Sequence, residues 1–148
     1  MKSEADCYSI YDLKKEPKQT SMWFGVRNYQ ARNFMRDQMQ KGDLAFFYHS
    51  NGKPSHIAGI MEIASGKAYP DPTQFDPKDE HFDPKSSPEN PRWMLVDVKL
   101  KEIFEPIGLP QIKANPKLKN MALVQPGSRL SIQPVTKQEW DEIMKMAN

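Results

Sequence analysis

The sequence predicts an α+β domain whose mixed or antiparallel sheet curls to bury two aromatic rows. Three stretches carry this. Leu44 to Ser50, LAFFYHS, is short, apolar and aromatic, the strongest strand signal in the chain. Trp93 to Phe104, WMLVDVKLKEIF, alternates as a strand with one wet face does. Met22 to Arg36, MWFGVRNYQARNFMR, changes in its middle from extended to helical spacing.

Taken in order, Lys2-Ser3-Glu4 reads as the end of a short strand. Ser9-Ile10-Tyr11-Asp12 is a capping-box variant, with Asp in place of Glu or Gln, opening a helix to about Glu16 that Pro17 stops. Lys18 to Ser21 reads as a polar connector. Trp23-Phe24-Gly25-Val26 is a strand end or tight turn. Asn28 is a good N-cap, because its side-chain oxygen can accept from first-turn amides. Tyr29, Arg32, Asn33 and Arg36 then recur at helical spacing to about Gln40, and Gly42 takes the C′ place.

In the strand from Leu44, the side chains of Leu44, Phe46, Tyr48 and Ser50 point one way, and those of Ala45, Phe47 and His49 the other. Asn51 to Pro54 is a turn. His56 to Ala68 is the returning strand, with Gly59 and Gly66 expected at bulges or close backbone approaches. Tyr69 to Arg92 is too rich in proline for a regular ladder. Phe75, His81 and Phe82 argue that it packs rather than floats.

The strand from Trp93 sets Leu95, Asp97, Lys99 and Lys101 against Met94, Val96, Val98 and Leu100, and Pro106 is expected to end it. Leu109 to Ala114 starts a short helix. Arg129 to Pro134 reads as a short strand. Thr136 and Glu139 form a capping box for a last helix, on which Trp140, Ile143, Met144 and Ala147 share a face.

The 148 residues suit one domain, residues 1–148, with a real core. No run approaches the ~18 apolar residues of a spanning helix, so no membrane partner is expected. No charged n-region with an apolar h-region opens the chain, so no secretory signal is expected either. A net charge of +2 does not by itself imply nucleic-acid binding. Placement matters more: Arg27, Arg32, Arg36 and Arg129 lie beside aromatic or turn-rich stretches.

The single cysteine, Cys7, excludes an internal disulfide and fits a reducing compartment, a bacterial cytoplasm or a eukaryotic nucleus. It reads as a half-buried structural residue. His49, His56 and His81 show no HxH, HExxH or CxxC spacing, so neither a metal nor a cofactor is expected.

The join between Trp23 and Asn28 holds an aromatic, a cation, an amide side chain and helix N-terminal amides. An anion or a polar heterocycle would be well served there. A purely structural reading stays open at this point, with Trp23 and Phe34 in the core and Asn28 only capping a helix.

Several blocks together closely resemble the EVE domain family. They are KSE (Lys2 to Glu4), YSIYDL (Tyr8 to Leu13), WFGVRNYQARNF (Trp23 to Phe34), GDLAFFYHS (Gly42 to Ser50), AYPDPTQFDPK (Ala68 to Lys78), PRWMLVDV (Pro91 to Val98) and GSRLSIQPVT (Gly127 to Thr136). The resemblance covers nearly the whole chain, and GVRNYQARNF is its most specific block. It implies a PUA-like fold, a curled mixed β-barrel of about five to six strands with flanking helices. It also implies kinship with YTH domains and recognition of modified bases in DNA or RNA. The family usually has an aromatic-rich strand before KSE, where this chain has only Met1, and proline is common where Ala5 stands. These departures bear on the N-terminal strand and not on the pocket.

By this resemblance Ser3 sits where related readers offer a polar contact to a base edge. Arg27 and Asn28 follow a Gly-Val that in those readers precedes a cage aromatic and a polar residue. A guanidinium in place of the aromatic can stack on a base or contact phosphate. Arg129 matches a position associated with the nucleic-acid backbone.

The function expected is that of a non-enzymatic, monomeric module holding one flipped, modified nucleobase of DNA or RNA in an aromatic and polar pocket. Trp23, Tyr69 and Trp93 are candidate stacking surfaces. Ser3, Asn28, His49 and Ser50 are candidate edge partners, and Arg27, Arg32 and Arg129 could hold phosphate. One alternative is a small-molecule or protein-interaction module using the same pocket. Another is a hydrolase built on Asp43, His49 and Ser50. Against it, no GxSxG elbow exists, and adjacent side chains on one strand face opposite ways.

Overall fold

Five strands hydrogen-bond into one curled sheet in a computed structural model that describes residues 1–127 and 129–147. In chain order the strands are β1 (Lys2–Ser3), β2 (Thr20–Met22), β3 (Leu44–His49), β4 (His56–Ile63), β5 (Tyr69–Pro70), β6 (Met94–Leu95) and β7 (Asp97–Gly108). The sheet order is β1-β3-β4-β7-β2, and β1 runs parallel to β3 while the other pairs are antiparallel. β5 and β6 form a separate antiparallel ribbon, Tyr69 opposite Leu95, which brings together the two ends of the proline-rich loop. The helices are α1 (Ile10–Lys15), α2 (Tyr29–Asn33), α3 (Leu109–Ala114) and α4 (Lys137–Ala147).

The two rows of β3 serve two cores, as its alternation predicts. Phe47 packs with Met61, Val98, Ile10 and Leu13 on one face of the sheet. Phe46 and Tyr48 pack with Ile60, Ile112 and Ile143 on the other. Each such side chain contributes about 1.5–3 kcal/mol on burial. α4 lays Trp140 flat on Phe46, ring centroids 3.9 Å apart. The N-terminal end of α1 is fixed by the Ser9–Asp12 capping box, and Thr136 with Glu139 forms the other expected box.

Gly59 is required by a close approach: a Cβ there would collide with the carbonyl oxygen of Glu102 across the β4–β7 pair, where the register shifts. Gly66 meets no such neighbour and lies in a bend beyond β4, which ends at Ile63 and not near Ala68.

Other expectations are corrected. Thr20 and Ser21, read as the end of a connector, form edge strand β2 together with Met22, which lies opposite Asp97; three polar-to-mixed residues give too short a pattern to detect. β7 continues through Pro106 to Gly108. Pro106 falls between the paired residues Ile103 and Ile107, where the register jumps and no ladder bond needs its nitrogen. The helix expected to Gln40 is α2 followed by a π turn, Phe34–Gln38, because the Met39 amide reaches back to the Phe34 carbonyl at 3.0 Å. Arg129 to Pro134 is not a strand; it touches the sheet through the Lys2 amide, which donates to Ser131 O at 2.8 Å. Cys7 is exposed rather than half-buried.

Candidate functional site

An open cleft of about 510 Å³ lies beside β1, lined by the segment after β2, by Glu80 and His81 of the proline-rich loop, and by Arg129 and Ser131. Its size falls in the range of ~300–1,000 Å³ common to small-molecule sites. It is built from the turn that follows β2.

Trp23 is 7% exposed and sets its ring edge-on against Phe47, centroids 5.3 Å apart. Two residues on, Gly25 has φ +84°, a conformation that favours glycine. Its amide donates to Asp71 Oδ2 at 2.7 Å, and a Cβ there would come within 2.8 Å of His81 Nε2. Only glycine lets the loop imidazole close on this turn.

The anchor of that wall is Asp71, which is fully buried. Its carboxylate accepts from the Gly25 amide, from the Thr73 amide and hydroxyl at 2.8 and 2.6 Å, and from Arg27 Nη1 at 3.1 Å. Burial alone would raise the Asp71 carboxyl. The bonds from Thr73, Gly25 and Arg27 outweigh it and hold the group below the usual carboxylate range.

Arg27 lines the cleft, but its five hydrogen bonds use every guanidinium N–H. They go to the carbonyls of Val26 and His81 (twice), to Asp71 and to Thr73. The guanidinium carbon also lies 5.5 Å from the Trp93 ring. Arg27 therefore ties the loop to the cleft wall and keeps no donor for a phosphate.

Other polar groups line the cleft beside Arg27. Asn28 caps α2 through Oδ1, which accepts from the Ala31 amide at 3.0 Å. Its Nδ2 hydrogens have no partner among the described residues. Ser3 Oγ donates to Tyr8 O at 2.7 Å, which leaves its lone pairs as acceptors. The Trp23 indole N–H has no partner among the described residues either. No buried side-chain nitrogen goes unpaired among the described residues, so this N–H is open to solvent. Lys2 and the exposed Arg129, which has no acidic partner among the described residues, supply positive charge.

Two further linings are poor nucleophiles. Tyr8 donates to Glu16 Oε1 at 3.1 Å and its hydroxyl is pushed up to about 12, chiefly by burial. The Cys7 thiol is raised, first by its bond to Glu4, so the thiolate is disfavoured.

Five of the nine residues singled out in the sequence thus meet at the cleft: Ser3, Trp23, Arg27, Asn28 and Arg129. The other four lie elsewhere. Trp93 is buried, donates from Nε1 to Asp83 Oδ2 at 2.7 Å, and stacks on Tyr29 at 4.8 Å. Tyr69 donates to Asp97 Oδ1 at 2.6 Å; burial, then that bond, raise its hydroxyl pKa. His49 is buried and accepts the Ile10 amide on Nε2, with Nδ1 3.0 Å from His56 Nε2. Ser50 is exposed, and its amide donates to Ser3 O at 3.0 Å.

The residues missed in the sequence are Lys2, Phe24, His81 and Ser131. Lys2 could have been found as the neighbour of Ser3 in KSE. Nothing local marks His81, which reaches the cleft only through the Arg27–Asp71 tie.

A curled mixed sheet, helices packed on both faces and a cleft of this composition beside the parallel strand define a PUA-like domain. The chain belongs to the EVE domain family, whose model matches residues 1–146. Thymocyte nuclear protein 1 of Homo sapiens is 47% identical over 148 residues, covering 94% of this chain and 64% of the human protein. The Gallus gallus protein of that name is 49% identical, covering 94% and 60%. The chain therefore spans less than two thirds of the length of these relatives.

Among solved structures, a Pseudomonas syringae protein superposes with a TM-score of 0.93 at 44% identity, covering 100% of this chain and 97% of that one. Human THYN1 protein in complex with 5-methylcytosine-containing DNA superposes with a TM-score of 0.89 at 47% identity, covering 95% and 86%.

Proposed function

We propose that this chain is a non-enzymatic reader, acting as a monomer, that holds one modified nucleobase of a nucleic acid in the cleft. The observation that carries the reading is the 47% identity, over 95% of the chain, to a protein bound to 5-methylcytosine DNA. The cleft chemistry supports it independently. Trp23 offers an aromatic floor, and Trp23 Nε1–H, Asn28 Nδ2 and Ser3 Oγ offer two kinds of donor and an acceptor for a base edge. Lys2 and Arg129 offer charge for a flanking phosphate.

A non-catalytic role is supported by the separation of the hydrolase candidates. Both His49 nitrogens face protein partners, Ser50 lies on the other side of the strand, and Asp43 Oδ2 accepts the Gln40 amide at 2.9 Å.

The test is titration of matched oligonucleotides that differ only at one cytosine. One buried methyl contributes about 0.8 kcal/mol, roughly fourfold. Greater discrimination would need polar groups left unpaired by the wrong base. The expected result is that a 5-methylcytosine strand binds at least about fourfold more tightly than its unmodified twin. Equal affinity for a broad panel of modified and unmodified strands would overturn the reading.

A further inference from the structure

Of the exposed large apolar side chains among the described residues, only Met22 and Phe24 line the cleft. Phe24 is 45% exposed, whereas Trp23 beside it is 7% exposed. In this extended stretch Trp23 turns into the cleft floor and Phe24 stays at the mouth. The exposed ring is nevertheless held in place. The amide before it, that of Trp23, donates to Val96 O at 2.9 Å, and the amide after it, that of Gly25, donates to Asp71 at 2.7 Å. The ring meets the edge of His81, centroids 5.7 Å apart at 77°. The core does not need this ring. Tyr29, the other exposed aromatic of the segment, already stacks on Trp93 and has the Arg32 guanidinium 4.6 Å from its centroid.

We propose that Phe24 stacks on the base adjacent, in the same strand, to the one held in the cleft. The protein then recognises a modified nucleotide within a strand and not an isolated base. This assignment rests on the single-base reading above. The division of labour follows from position: the buried Trp23 faces the target base, and the exposed, clamped Phe24 faces its neighbour. Every base presents a flat face, so this contact raises affinity without demanding a particular flanking sequence.

The experiment compares wild type and Phe24→Ala on three probes: a strand carrying 5-methylcytosine between ordinary nucleotides, the same strand with abasic neighbours, and free 5-methyl-2′-deoxycytidine. Loss of one base–aromatic stack predicts that Phe24→Ala weakens the ordinary strand by roughly 5- to 150-fold. The loss should be several-fold smaller on the free nucleoside and on the abasic strand, neither of which carries a neighbouring base. Phe24→Tyr should restore the ordinary strand, and a melting curve for each variant establishes that the fold is intact. Equal losses on strand and nucleoside would make Phe24 a wall of the target pocket and overturn the proposal. So would an unchanged affinity for the ordinary strand. Wild type that binds the nucleoside with the same affinity as the strand would also sink it. Wild type that binds none of the three would instead overturn the single-base reading on which it stands.

Discussion

The guanidinium of Arg27 lies 3.1 Å from the carboxylate of Asp71, 44 positions away in sequence and with no exposed side-chain surface. Removing the cation leaves a buried, unpaired carboxylate, so Arg27→Ala should cost about 3–5 kcal/mol. Arg27→Lys should recover part of this, because it keeps the charge and loses the fork that spans Thr73 and His81. Urea unfolding at neutral pH measures both. A cost of less than about 1 kcal/mol for the alanine variant would show that the loop holds its place without this pair.

Asn28 does two separable things. Its oxygen caps α2, and its Nδ2 donors face the cleft. Asn28→Ala should lose about 1 kcal/mol of stability together with affinity. Asn28→Asp keeps the capping oxygen and removes the donors, so stability should change by only a few tenths of a kcal/mol while affinity falls. Unchanged affinity in a folded Asn28→Asp protein would reduce this residue to a cap.

Salt dependence should be shallow. Arg27 is committed to the loop, and Arg32 donates to Arg92 O at 2.9 Å and to Asn33. Lys2 and Arg129 are the cations that line the cleft beside Arg27. Each phosphate neutralised adds about 0.7 to the slope of log affinity against log salt on a single strand, or about 0.9 on duplex. The expected magnitude is therefore roughly 1.4–1.8, falling by about one such increment in Arg129→Ala. A slope several times larger would mean an extended groove along the backbone.

His49 gives the fold a response to acid. The Ile10 amide donates to Nε2, so that nitrogen carries no proton; Nδ1 faces His56 Nε2, whose ring in turn reaches Pro54 O at 3.0 Å. Burial, then the neighbouring His56, lower the His49 pKa, and Asp12 opposes them. The unfolded chain therefore binds more protons below its ordinary value of about 6.5. Stability is full above that pH and is lost as pH falls through the lowered folded value. Melting temperatures between pH 7 and 5 should drop in the wild type and drop less in His49→Gln. Parallel curves for the two proteins would remove His49 as the cause.

What the sequence made legible was local. The strand at Leu44, the capping boxes at Ser9 and Thr136 and the cap at Asn28 each depend on residues within one turn or one pleat, and each is present. Ser3, Arg27, Asn28 and Arg129 were readable as cleft residues through family resemblance, and Trp23 through its place at the join before α2. Trp93 and Tyr69 were misplaced because an aromatic beside a proline-rich loop looks the same in sequence whether it faces a ligand or, as here, Tyr29 or Asp97. Arg27 has the same ambiguity: nothing near it announces Asp71 or His81. β2 and the run of β7 past Pro106 depend on which neighbour supplies the ladder, and that is decided by tertiary pairing.

The Gly25 turn is tied to Asp71 across 46 positions, and Arg27 to His81 across 54. The cleft consequently has no local existence. It is assembled only when segments from both ends and the middle of the chain have docked, so no short peptide of this protein should retain its ligand. Occupancy should also be felt globally: a ligand that binds only the assembled state raises the melting temperature by mass action, by about 2.7 kcal/mol of added stability at a hundredfold excess over Kd. In hydrogen exchange, the amides that slow on binding should extend beyond the cleft to those strands of the sheet that open only in global unfolding.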